Sequence, residues 1–159
     1  MKIFAALFLG VCVATALAAD PPAQPAPQTI TKEIARKAIV LFRQEPVSER
    51  GKGAASLLIH FARESPDVEV TMSSSALPWL VTKRPSEYSS TLLVAYIAGS
   101  VRSQLDSGAT KNDPVAGAEQ VIETYHLLQK TDPTFKMEEV EKLIELKTSG
   151  KLKEHIEAK

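Results

Sequence analysis

The chain holds one cysteine, Cys12, and it lies in an apolar stretch near the start. If that stretch is removed, no disulfide can form and no thiolate is left to bind a metal. The disulfide-stapled class of small secreted domain and the zinc patterns built on cysteine are thereby excluded, and stability must come from packing. An excess of charge of either sign is also lacking, with nineteen Lys and Arg against nineteen Asp and Glu. Nucleic acid or an anionic membrane surface would call for a basic excess or a one-sided basic helix, and neither is present. Asn112 is followed by Asp113 and Pro114, so there is no glycosylation sequon.

Motifs of catalysis are missing as well. There is no His-Glu-x-x-His, no Gly-x-Ser-x-Gly and no Ser-x-x-Lys. Gly51-Lys52-Gly53 follows no strand and has no Ser or Thr after the lysine, so it is read as a loosening of a helix start and not as a phosphate loop. Lys147-Thr148-Ser149-Gly150 is read as a helix end. His60, His126 and His155 fall on three different expected helices. Glu123 and His126 make one Glu-x-x-His, half of what a carboxylate-bridged di-metal bundle needs. No metal and no cofactor are expected.

What is present begins with an export signal. Lys2 supplies a positive start, Ile3 to Leu17 form an uncharged apolar run, and Ala16-Leu17-Ala18 satisfies the small-x-small requirement for cleavage after Ala18, with Ala19 as the next choice. The run is shorter than the roughly 20 apolar residues of a spanning helix. Lipidation at Cys12 is disfavoured because bulky Val11 precedes it and the apolar run continues beyond it. Residues 1–18 are thus read as a signal peptide, 19–28 as a Pro- and Ala-rich disordered linker, and 29–159 as a single domain. The address implied is periplasmic or secreted, with a bacterial periplasm a good fit.

Apolar periodicity then points to helices. Thr31 to Gln44 carries Ile34, Ala38, Ile39, Leu41 and Phe42 near one face, and Pro46 ends it. Ser48 to Glu64 is apolar nearly all round from Ala54 to Ala62, which predicts a buried helix. A third helix is expected from about Ser86 to Asp106, stopped by Gly108. Its small residues Ala95, Ala98 and Gly99 allow a neighbour to approach closely, and it is the expected centre of the domain. Asp113-Pro114 starts a fourth, which runs to about Lys130 with Val115, Ala118, Ile122, Tyr125 and Leu128 inside. Met137 to Lys147 follows, then a short helix after Gly150, free to fray, with Leu152 and Ile156.

Between the second and third helices, residues 65–84 read as extended chain and loop, Val68, Val70 and Met72 alternating with polar residues. A lone alternating run makes no sheet. The fold class is therefore all-α, a compact bundle of about five to six antiparallel helices. The segment Asp113 to Pro133 resembles the second helix of a tetratricopeptide repeat. No period of about 34 residues recurs, however, so no family is assigned.

The most unusual local composition is Ser73 to Leu80, with three serines ahead of Pro78 and Trp79. Trp79 is read first as a plug tying a long connection to the helices, and second as one wall of a partner or ligand groove with Arg84, Tyr88 and His60. The functional reading is a non-enzymatic module that binds another envelope or secreted protein. Two alternatives stand beside it: a small-ligand carrier with an apolar cavity between helices, and an enzyme whose His60, Glu64, Tyr96 and Arg102 converge only in three dimensions.

Overall fold

The computed structural model describes residues 29–81, 86 and 88–158. The readings of 1–28 as signal and linker lie outside the described residues, as does Arg84. Six α-helices and one 3-10 turn follow in order: α1 Lys32–Gln44, α2 Glu49–Glu64, the turn Pro78–Val81, α3 Ser89–Ser107, α4 Pro114–Thr131, α5 Glu138–Thr148 and α6 Leu152–Glu157. The all-α bundle expected from periodicity is what forms, without strands among the described residues.

Caps set the helix boundaries. Thr31 accepts from Ile34 N–H at 3.3 Å, Ser48 from Gly51 N–H at 2.9 Å and Asp113 from Ala116 N–H at 2.9 Å, each relieving an orphan donor of a first turn. α3 starts three residues later than Ser86 because the Ser86 N–H donates to Ser89 Oγ at 2.8 Å, outside the helical ladder. It ends as expected at Gly108, with φ of 71°.

α1 pairs with α2 and α3 with α4, and α5 and α6 close over α4. α3 is the centre, enclosed through Leu92, Ala95, Tyr96, Ala98 and Val101. Its small residues act as read: a Cβ on Gly99 would stand 2.4 Å from Ala116 O on α4. In return Gly117 of α4 receives the ring of Tyr96, whose Cδ2 would lie 2.5 Å from an added Cβ.

Three readings are corrected. α2 is not buried all round: it inters Ala54, Leu58 and Phe61, while Leu57 and Ile59 stay 40% and 39% exposed. Among the described residues it packs chiefly on α1 and α3, which leaves its outer side uncovered by them. The α1 stripe holds at Ala38, Ile39 and Phe42, but its first member is Ala35, and Ile34 is exposed. Gly51 does not loosen a helix start; it is buried, and an added Cβ would meet Glu45 O at 1.8 Å, so it lets the chain double back tightly after Pro46. α6, although short, is anchored by Leu152 and Ile156 and by Ser75 Oγ donating to Ile156 O at 3.2 Å.

Residues 68–72, beyond the turn at Pro66 and Asp67, belong to neither helix nor strand, and no strand lies beside them among the described residues. Backbone polar groups still need partners. Two α3 side chains, Tyr96 and Gln104, supply them, with Ser100 between the two on the same row. Gln104 Oε1 accepts from Glu69 N–H and its Nε2 donates to Glu69 O, both at 2.8 Å, while Tyr96 OH donates to Thr71 O at 2.7 Å. Ser100 Oγ donates to Asn112 Oδ1 at 3.0 Å, and Asn112 Nδ2 donates to Thr71 O at 3.2 Å, so the α3–α4 loop joins the same network.

A candidate binding groove beside the tryptophan turn

Trp79 is 3% exposed, which makes it the plug of the first reading. Its neighbour Pro78 faces outward and, with Leu143 and Leu146 of α5, forms the floor of a groove of about 640 Å³. The turn meets α5 because Ser73 and Ser75 fold the chain tightly before it. Their hydroxyls lie 2.6 Å apart, and Leu77 N–H donates to Ser73 O at 2.9 Å. These serines are thus engaged in the turn and in α6, and do not line the groove.

The rim carries Glu139, Lys142, Glu145, Lys151 and His155. None of the five forms an ion pair among the described residues, unlike the neighbouring Lys147, which reaches Glu119 at 3.3 Å. An apolar floor inside an uncommitted rim of both signs can seat an apolar side chain and meet charges on either side of it. On the same turn, Leu80 and Val81 are 45% and 72% exposed.

Tyr88 does not line this groove. Half-buried, it stacks edge-on to Phe135 with centroids 4.7 Å apart, and Phe135 does the same to Tyr125 at 5.3 Å. This aromatic row ties the start of α3 to the α4–α5 connection. Tyr125 OH donates to Glu141 Oε1 at 2.7 Å and accepts from Met137 N–H at 3.1 Å. Burial, reinforced by the adjacent carboxylate, pushes its phenol up to about 12. An acid raised on folding stabilises the fold fully below its unfolded value, near 10, and loses that contribution as pH climbs from about 10 through about 12. Thermal melts should therefore show stability falling across that alkaline window. Tyr125→Phe should flatten the fall and cost about 1–3 kcal/mol at neutral pH, because the buried Met137 N–H loses its acceptor.

His60 lies in a different cleft, of about 530 Å³, lined by Ile30, Glu33, Phe61, Glu64 and Asp67 among others. The imidazole is exposed and makes no hydrogen bond among the described residues, and Asp67 is held by Lys32 at 2.9 Å. Tyr96 is committed to Thr71, and Arg102 donates to Gln120 Oε1 at 3.3 Å on the α4 side. Hence His60 and Glu64 share a cleft, and Tyr96 and Arg102 lie elsewhere. Glu123 pairs with Arg43 at 2.9 Å, and no group of three metal-ligating side chains occurs among the described residues. None of their helices is long and apolar enough to cross a membrane.

Periodicity in Met137 to Lys147 places Val140, Leu143 and Ile144 inside, whereas Leu146 stands at the edge of that stripe and is not marked by it. Only the approach of Pro78 makes it part of a floor. Comparison with family models, curated proteins and solved structures returns no match for this chain.

Proposed function

We propose that this chain is an exported, non-enzymatic protein-binding module whose groove over Leu143 and Leu146 seats an apolar side chain of another envelope or secreted protein. The observation that carries the reading is the pairing of that apolar floor with five rim side chains that make no ion pair of their own. Such a rim loses no existing pair when a partner arrives, and mixed charge favours a segment whose anchor is flanked by residues of both signs. An enzyme is supported less, since of its four candidates only His60 and Glu64 share a cleft, Tyr96 being buried and Arg102 lying toward α4. A small-ligand carrier would need an apolar cavity between helices, whereas the two clefts described above both open at the surface.

A photo-crosslinking residue at Lys142, on the rim, is expected to label one defined protein in the native envelope fraction. Leu146→Asp should abolish that labelling while leaving the helical circular dichroism intact. The same probe at Val40, on α1, should label nothing. Equal labelling from both positions, or none from Lys142, overturns the groove. For the address, N-terminal sequencing should begin at Ala19 or Asp20, and a cytosolic chain that keeps Met1 overturns export.

A further inference from the structure

Residues 68–72 alternate in burial and hydrogen bonding as extended chain does, and among the described residues only one of the two backbone edges is occupied. In extended chain the N–H and C=O of one residue point to the same edge and those of the next residue to the other. Glu69 turns both inward, to Gln104; Asp67 and Thr71 turn their C=O inward, the first to Thr110 and the second to Tyr96 and Asn112, while Asp67 N–H donates to Ser65 Oγ. Among the described residues the main chain of Val68, Val70 and Met72 makes no hydrogen bond. The side chains sort the same way. Val68 at 7% exposure, half-buried Val70 and Met72 at 55% share one face, and exposed Glu69 and Thr71 share the other. The segment is latched on one edge and, among the described residues, open on the other.

We infer that this open edge pairs with the same edge of a second copy, antiparallel about a two-fold axis through Val70, to make a weak homodimer. The sequence is self-complementary in that register. Val70 meets its own counterpart and Val68 meets the partner's Met72, giving about six backbone hydrogen bonds and a continuous apolar face that covers Met72. On the other face Glu69 stands opposite the partner's Thr71, so no like charges are directly opposed. A foreign strand would have to supply both the alternation and a tolerance of Glu69, whereas a second copy supplies them by symmetry. The pairing is short, so the dimer is transient and concentration-dependent.

Sedimentation of the full chain over a concentration series is expected to show a monomer–dimer equilibrium. Val70→Pro should abolish it with unchanged helical circular dichroism, because proline deletes only an outward N–H and the inner latch uses residues 67, 69 and 71. In a Cys12→Ser background, Val70→Cys should form a disulfide dimer on mild oxidation, since paired residues in this register stand about 5.5 Å apart at Cα. Glu69→Cys, facing Thr71, should not. Leu146→Asp, remote from this edge, should leave the dimer intact, which separates this inference from the groove. The pairing is overturned if the wild type stays monomeric up to about millimolar concentration, if Val70→Pro dimerises like the wild type, or if the two cysteine variants cross-link equally.

Discussion

Adding one methyl group at Gly99 is expected to cost the protein about 2–3 kcal/mol and to lower Tm by roughly 10 °C, even though alanine is the better helix former. Two effects oppose each other. In a helix interior Gly→Ala gains close to 1 kcal/mol in propensity. Against that, the new Cβ would stand 2.4 Å from Ala116 O and 2.7 Å from Gln120 Cβ, and the first of these is backbone that cannot swing aside. α3 and α4 must then separate, which opens gaps along the most extensive helix pair in the molecule. Gly117→Ala should behave similarly, because the Tyr96 ring it would strike is fully buried and tethered through its hydroxyl to Thr71 O. Gly53 is the control. An added Cβ there meets nothing within 4 Å, so Gly53→Ala on exposed α2 should stabilise by about 0.5–1 kcal/mol. Chemical denaturation of the three variants measures both signs, and the close-packing account fails if Gly99→Ala is as stable as the wild type.

The small residues of α3 were legible because they sit in an unbroken apolar helix, where glycine has no reason except close approach. The helix starts at Thr31, Ser48 and Asp113 were legible for a related reason: each is set by a local bond between residues three apart. What the sequence hid is set by tertiary neighbours. The apolar run of α2 looks interior, yet burial depends on how many layers surround a helix, and this one has company on one side only. Ser100 and Gln104 look like ordinary polar positions near the end of α3. They become 0% and 2% exposed because the connection after α2, which has no strand beside it among the described residues, lies against them. The groove shows the same limit, since its floor joins Pro78 to residues 65 and more positions later, which periodicity within either segment does not reveal.

Gln104 is where that hidden network is most exposed to test. Its amide bonds Glu69 at both N–H and C=O and also donates to Ser100 O and Ser100 Oγ, each at 3.2 Å, so one side chain does for residues 67–72 what a neighbouring strand would do. Gln104→Leu keeps the bulk and removes every one of these bonds. A loss of about 2–4 kcal/mol is expected, from stranded backbone groups beside a buried aliphatic chain, together with faster hydrogen exchange at Glu69. Gln104→Glu separates hydrogen bonding from shape. The ionised carboxylate can still accept from Glu69 N–H, but it turns its other oxygen toward two carbonyls with no proton to offer, inside a site that disfavours charge. Burial and these lone pairs raise the carboxyl above its usual value near 4.3. The sign follows: the protonated acid reproduces the amide's donor and acceptor, so the variant should match wild-type stability best below about pH 4 and fall progressively behind as pH rises through the raised folded value. Denaturant melts of both proteins at matched pH read out the difference directly. A gap between them that stays constant from acid to neutral pH would mean that the donor to Glu69 O contributes nothing, and that packing alone holds the strand against α3.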